Sequence, residues 1–495
     1  MDGTDRNGRK VVTGRRRSEL RSERGPILIS LMLSTGLVAI DATVIATAVP
    51  SIVDNLGGFG QFPWLFSAYL LAQAVSVPIY GKLADLFGRK PIMLFGIGLF
   101  LVGSVLCGAA WSMPVLIAFR AVQGLGAGAV QPMTLTIAGD IYTVAERGRI
   151  VGYMASVWAT SSVVGPTLGG VFSEYLSWRW IFFVNIPLCL LAALALVRNF
   201  KERIEPRPHQ LDYAGAALLT LGCTLLMLAL LEGGVAWSWT SATGLAVVAA
   251  GVIALVAFAF VERRAPEPVL PTLVFRRRLV VTTNLIALTL GAVLMGITSY
   301  VPTYVQGVLG TGPLVAGFAL AALTLGWPVT ASMSGRIYMR IGIRATAAVG
   351  MAAGLVGTVL IALLGEHDTV LFVGLACFVV GGGLGLVAGP TLIAAQASVD
   401  WAERGVVTAS NMFSRALGSA MGVAVFGAIA NAALGGGGRS PAALAYATHH
   451  VFVGVLVVAL LLAVAVALLP HIPIGTSPAS TAPAGDPESV GQVAR

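Results

Sequence analysis

GKLADLFGRK, residues Gly81 to Lys90, stands between two long apolar runs and places four charged side chains in a loop too short to form a domain. A second stretch, GRIYMRIGIR, begins at Gly335, so that Gly81, Gly88 and Lys90 recur as Gly335, Gly342 and Arg344 at one constant offset. AERG likewise occurs at Ala145 and again at Ala402. Matching punctuation between apolar runs marks an internal repeat, here of a duplicated membrane bundle.

Composition agrees. Hydrophobic residues make up 57% of the 495 and charged residues 11%, with a mean hydropathy of +0.87, far from the roughly one-quarter charged fraction of a soluble domain. Apolar stretches near the ~20 residues that span a bilayer run at about 27–49, 62–84, 91–110, 114–138, 150–173, 179–198, 211–231, 241–261, 279–305, 313–335, 344–364, 369–395, 405–431 and 450–469. The expected fold is all-α and integral to the membrane, with fourteen transmembrane helices.

An even number of spans puts both termini on one side, and RRRSELRSER before the first span makes that side cytoplasmic by the positive-inside rule. All but four of the 31 lysines and arginines then fall in cytoplasmic segments; Arg179 and Arg439 are external, and Arg120 and Arg415 lie inside spans. Trp64, Trp111, Trp178, Trp180, Trp237 and Trp239 all sit at outer boundaries, where amphipathic indole rings collect. The plasma (bacterial inner) membrane is the expected location.

Other readings of these features are weaker. The basic N-terminal tract resembles a nucleic-acid patch, but its place directly before a span assigns it to topology or anionic lipid, and no nucleic acid is expected. Ala46-Thr47-Ala48 imitates a signal-peptidase site, yet the apolar run before it exceeds a secretory core, so the first span is retained. Cys107, Cys189, Cys223 and Cys377 lie in different spans without metal or disulfide spacing. His209, His367, His449, His450 and His471 all lie outside the spans, and neither metal nor cofactor is expected.

Residues 1–26 and 471–495 read as disordered cytoplasmic tails. The repeat offset leaves two spans between the halves. The expected organisation is a six-helix bundle over 27–200, two inserted helices with linkers over 201–278, and a second six-helix bundle over 279–470. The Gly81 loop resembles the signature loop between spans two and three of the major facilitator superfamily. Twelve core spans with two inserted central ones resemble its fourteen-span drug:proton antiporter branch. That resemblance implies two bundles facing each other across a central cavity.

An ionised side chain at mid-helix costs about 2.5–3.5 kcal/mol on insertion scales, so each is a functional candidate. Asp41 is the one acid deep in a span, and Arg120 lies at a similar depth in another, so the two can pair. Desolvation and a nearby guanidinium act oppositely on a carboxyl, the tension proton coupling requires. RAVQGLGAG, from Arg120 through Gln123, resembles the superfamily's fourth-span motif, whose arginine is associated with proton coupling. AIDATVIATAVP, around Asp41, Thr43 and Pro50, resembles its first-span motif. GPTLGG, carrying Gly165, Pro166, Gly169 and Gly170, resembles the motif that separates exporters from importers; physically it permits close helix approach and a bend.

In the Gly81 loop, Asp85 can face the positive end of a neighbouring helix, and Arg89 can reach an acid at another cytoplasmic helix end, Asp140 being the natural candidate. The resemblance implies that Asp85 engages the chain near Gly405 and that Gly81, Asp85, Gly88, Arg89, Lys90 and Asp140 form a cytoplasmic latch. Met339 replaces the Asp in the second copy, so the latch is one-sided. Arg415 has no acidic partner in any span, which leaves it to hydrogen-bond helix carbonyls, to face the cavity beside Asn411 or to snorkel; Tyr300, Tyr304 and Gln306 are candidates for the substrate path, with Thr43, although interfacial anchoring explains the tyrosines equally well.

The expected function is proton-driven export of amphipathic, often cationic small molecules by a monomer alternating between two open states. An exporter of an endogenous metabolite, amino acid or lipid has the same motifs, because motifs report mechanism and the cavity reports substrate. A non-transporting sensor and an enzyme fit less well, since the coupling motifs are intact and no nucleophile, base and metal set occurs in any loop.

Overall fold

The computed structural model describes residues 24–142, 144–200, 202, 212–233, 236–238, 240–265, 276–399, 404–434 and 440–470. The two expected tails therefore lie almost wholly outside the described residues. Fourteen long helices carry the described chain: α1 (Gly25–Leu56), α2 (Pro63–Phe87), α3 (Arg89–Gly108), α4 (Met113–Ile141), α5 (Val144–Tyr175), α6 (Trp180–Asn199), α7 (Tyr213–Glu232), α8 (Ala242–Glu262), α9 (Arg278–Gly307), α10 (Pro313–Ile341), α11 (Ile343–Ala362), α12 (Val370–Ala397), α13 (Arg404–Leu434) and α14 (Pro441–Ala467).

Thirteen of them are long and apolar enough to cross a membrane. The other, α5, is as long as α1 at 32 residues but is diluted by Ser156, Thr160, Ser161, Thr167 and a Gly165-Pro166 pair. Its small side chains serve contacts with helices on two sides. Local chemistry moves several ends beyond the expected spans. α14 starts at Pro441, well before 450, because Ser440 accepts a hydrogen bond from the Ala443 N–H and proline fits the first turn. α6 breaks at Val184 into Trp180–Phe183 and Asn185–Asn199.

The two halves repeat one packing scheme. In the first, α1 packs on α4, α5 and α6, α4 on α2 and α3, and α3 on α6; in the second, α9 packs on α12, α13 and α14, α12 on α10 and α11, and α11 on α14. The junctions repeat as well. Gly88, between α2 and α3, has φ 94° and ψ 156°, and Gly342, between α10 and α11, has φ 92° and ψ 157°, a region that disfavours side chains with a Cβ.

Basic residues close the C-terminal carbonyls of the same partner helices in each half. Lys90 Nζ donates to the carbonyls of Val197 (3.0 Å) and Phe200, while its counterpart Arg344 donates to Ala467 (2.9 Å). Arg24 donates to Ile141 at the end of α4, and Arg277 to Ser398 at the end of α12. Cations at helix C-termini also complement the helix dipole.

All these junctions lie at the end of the molecule where the described chain begins and finishes. The halves meet at the opposite, distal end through α5 against α10 and α2 against α13, with α1 touching α9. There Gln306 donates to the Thr47 carbonyl (3.1 Å), Asn431 to Gly60 (3.0 Å) and Ser67 to Ala420 (3.2 Å), while the Leu314 N–H donates to Glu174 (3.2 Å). Phe62 and Tyr300 add a ring contact at 5.3 Å. α7 packs on α8 and touches both α2 and α13, so the inserted pair leans on the seam between the halves.

Candidate functional site

Asp41, in the middle of α1, is 1% exposed, as is Arg120 on α4. Arg120 Nη1 donates to Asp41 Oδ2 at 2.8 Å, the pairing expected from their depths. Gln123, one turn further along α4, lies on the same face as Arg120. Its Oε1 accepts from Arg120 Nη1 at 2.7 Å and its Nε2 donates to Asp41 Oδ1 at 2.8 Å.

Two residues outside the sequence motifs complete the network. Asn185, the first residue after the break in α6, donates from Nδ2 to Asp41 Oδ1 (3.1 Å) and to Ser104 Oγ (2.8 Å), and Ser104 on α3 also accepts from Gln123 Nε2 (2.9 Å). The Ser104 hydroxyl then donates to the Phe182 carbonyl at the end of the first α6 segment. Three donors thus converge on the two Asp41 oxygens, matching the acceptor-only capacity of an ionised carboxylate. Arg120 is pinned from α2: its Nε donates to the Leu65 carbonyl (3.3 Å) and its guanidinium lies 4.1 Å from the Tyr69 ring centroid.

A buried pair like this is retained only where every charge is matched, since leaving either partner alone costs about 3–5 kcal/mol. The network ties α1, α2, α3, α4 and α6 around one carboxylate. Protonation of Asp41 would add an O–H donor to a carboxyl that three donors already face, so at least one of these hydrogen bonds would have to rearrange and the new O–H would need an acceptor. One spare acceptor is present, because Asn185 Oδ1 is buried without a hydrogen-bond partner among the described residues.

The expected export motif forms a seam on both faces of α5. A Cβ added at Gly165 would lie 2.0 Å from Thr43 Oγ1, and one at Gly169 would lie 2.3 Å from the Val44 carbonyl, both on α1. At Gly170 it would lie 2.6 Å from Leu314 Cα on α10, across the divide between halves. The Pro166 carbonyl accepts from Thr47 Oγ1 at 3.2 Å, and Thr43 donates to the Ser161 carbonyl at 3.1 Å. Thr43 is therefore engaged in the α1–α5 seam.

Arg89 and Lys90 meet an acid that the sequence motifs do not single out. Glu202, beyond α6, accepts from both of their backbone N–H groups at 2.8 Å and lies 3.9 Å from the Arg89 guanidinium, capping the exposed start of α3. The side chains of Asp85 and Asp140, and the Gly405 contact expected of Asp85, lie outside the described residues, while Gly81 stands on α2 and Gly88 at its end.

Tyr300 and Tyr304, expected on the substrate path, are buried in the closed distal end at 1% and 2% exposure, where Tyr304 donates to the Gly365 carbonyl. Asn411 on α13 donates to the Thr283 carbonyl of α9 (3.1 Å). Arg415, one turn on, is part-exposed and has no hydrogen-bond or ion-pair partner among the described residues. Asn185, Ser104 and Tyr69 escaped the sequence reading because it tracked charges. The one available signal was Asn185 itself, a polar residue before Pro187 in the apolar run WIFFVNIP.

Comparison with known proteins gives this architecture a place. Residues 31–423 match the Major Facilitator Superfamily. The multidrug transporter protein MdtP of Bacillus subtilis is 34% identical over 415 residues, 84% of this chain and 77% of the relative. Multidrug resistance protein 3 of the same organism is 32% identical over 403 residues, 81% of this chain and 79% of the relative. Among solved structures, a bacterial homologue of the human lysosomal transporter Spinster, inward-facing and unoccupied, superposes with a TM-score of 0.63 at 17% identity, covering 91% of this chain and 96% of that one. The nucleoside transporter NupG gives 0.63 at 12% identity, covering 90% of this chain and all of the other. With a matching repeat, matching helices and these relatives, the chain is a multi-pass membrane transporter and belongs to the major facilitator superfamily.

Proposed function

We propose that this transporter is a proton-coupled exporter of amphipathic small molecules, working in the bacterial inner membrane with both termini in the cytoplasm. On this reading the sealed distal end faces outside, as the clustering of basic residues at the opposite end supports. The carrying observation is the Asp41 carboxylate, held by Arg120, Gln123 and Asn185 with no other buried acid at that depth among the described residues. Protonation of Asp41 removes the charge that Arg120 balances and loosens the joint between α1, α4 and α6, which changes how α1 presents its seam to α5 and α9.

Two relatives described as multidrug proteins support export, as does the glycine seam of α5. The driving force is sufficient. One proton moving down the membrane potential supplies about 2.3 kcal/mol per 100 mV, enough for about a fifty-fold gradient of a neutral solute. The cytoplasmic latch built on Asp85, Arg89 and Asp140 would hold the alternate state shut.

The test is dye efflux from proteoliposomes under an imposed pH gradient. Asp41→Asn keeps the shape of the side chain but turns one accepting oxygen into a donor and has no proton to exchange, so uphill efflux should fall at least about tenfold in protein that still purifies as a folded monomeric peak. Uphill, gradient-dependent efflux at the parental rate would refute the assignment.

A further inference from the structure

Two arginines lie inside the spans, and only one is matched. Arg120 has Asp41, whereas Arg415 has no hydrogen-bond or ion-pair partner among the described residues. Arg415 lies eleven residues beyond the Arg404 start of α13, about 16 Å along the helix at ~1.5 Å per residue, and farther still from Leu434. That is deeper than an arginine side chain can reach back over. A cation kept at such depth without a protein counter-charge calls for one from elsewhere.

The direction of the side chain follows from its neighbours on the same face. Thr408, Asn411 and Arg415 recur at spacings of three and four, which stacks them on one stripe of α13. Thr408 accepts from Gln396 of α12 at 2.8 Å, and Asn411 donates to the Thr283 carbonyl of α9. The stripe therefore looks inward along α9 and α12. Beside Arg415, Gly291 of α9 lies so close that an added Cβ would come within 2.2 Å of the Arg415 carbonyl, which holds this turn of α13 firmly in place.

We propose that Arg415 is the anion-recognition point of the transport cavity and that the substrate is an amphipathic organic acid whose carboxylate docks on this guanidinium. The planar fork of arginine matches a carboxylate with two parallel N–H donors. The apolar body of such a ligand suits the surrounding wall, where Met412 and Ala416 flank Arg415 on α13. The energetics favour this cargo. Exchanging one monoanion outward for one proton inward moves two charges down the potential, worth about a two-thousand-fold gradient per 100 mV, whereas a monovalent cation exchanged one for one gains nothing from the potential.

This inference rests on the exporter reading for its cavity, but its test measures binding alone. Purified transporter in nanodiscs is equilibrated with pyrenebutyrate or its methyl ester, and the uptake of empty nanodiscs is subtracted. The parent should bind the acid at least about tenfold tighter than the ester, a difference that Arg415→Gln abolishes and Arg415→Lys keeps only in part, as a cation without the bidentate fork, with ester affinity the same in all three. Equal affinity for acid and ester in the parent, or a preference surviving in Arg415→Gln, overturns the proposal. Acid-selective binding that depends on Arg415, in a protein whose proteoliposomes show no proton-dependent efflux, sinks the exporter reading and leaves the anion site standing.

Discussion

Gly169 and Gly170 are adjacent on α5, yet a single methyl at each should fail in different ways. At Gly169 the new Cβ would lie 2.3 Å from both the Val44 carbonyl and Thr47 Oγ1, all within the N-terminal half. At Gly170 it would meet the backbone of the other half, 2.6 Å from Leu314 Cα and 2.9 Å from the Pro313 carbonyl. Ordinary carbon contacts begin near ~3.5 Å, so each clash asks for a retreat of about 1 Å, at about 1–3 kcal/mol for overpacking. For Gly169→Ala that cost falls on every state, because α1 and α5 stay together. For Gly170→Ala it falls on the closed distal end alone and shifts the balance toward its opening by about 5–150-fold.

The reporter is Ser67→Cys, a buried position whose hydroxyl bonds the Ala420 carbonyl across the seam, read by labelling with a membrane-impermeant maleimide. The four native cysteines are buried, and the parent without Ser67→Cys serves as the control for any label they take. Gly170→Ala should label about 5–150-fold faster than the parent, whereas Gly169→Ala should label near the parental rate and melt at lower temperature. Parental labelling in a folded Gly170→Ala protein, or equal acceleration in both, would refute the division of the seam.

The amide of Asn185 should matter as much as the motif residues. Asn185→Ala strips two donated bonds, one to a carboxylate, and should cost about 1.5–3 kcal/mol in thermal unfolding together with most uphill efflux; parental values for both would remove Asn185 from the site. Trp64 Nε1 donates to Glu232 at 3.0 Å, fastening the end of α7 to the start of α2. Trp64→Phe should speed hydrogen exchange in α7 and α8 by about 5–10-fold, matching ~1 kcal/mol for one bond, while α4 stays unchanged; no change in α7 would show that this bond does not hold the inserted pair.

The repeat was legible because its punctuation is chemical. Only glycine readily takes the conformation of Gly88 and Gly342, and the long cationic side chains of Lys90 and Arg344 close a neighbouring helix's last carbonyls in both halves. The Asp41–Arg120 pair was legible for a related reason, since charges are costly in spans and few candidates compete. Asn185 was not, because an amide in an apolar run costs little on a hydropathy scale and its role depends on a helix break that brings it to Asp41. Glu202 was missed on Arg89 for another reason: it lies in a linker whose path no periodicity fixes. α5 shows the limit of hydropathy from the other side, for the serines, threonines and glycines that let it pack closely also make it read as the least apolar of the fourteen helices.

Duplication preserved the frame and not the interior, and that asymmetry bears on mechanism. The spacing of the repeats carries Asp41 onto Met295–Thr298 of α9 and Arg120 onto Gly374–Cys377 of α12, stretches without a charge. At the first, Gly296 packs against Phe426 of α13 and Val455 of α14, an apolar joint in place of a polar one. Its apolar contacts do not depend on the charge of an acid, so the second half can move as a stable body when the network in the first half changes. Arg415 has no counterpart in the first half either, since the same spacing places it on Trp158–Ser161, again without a charge. On the proposed reading, then, the proton is handled by the half that holds Asp41 and the substrate anion by the half that holds Arg415. The two are coupled because α1 and α5, which carry the consequences of protonation, are the helices that meet α9 and α10.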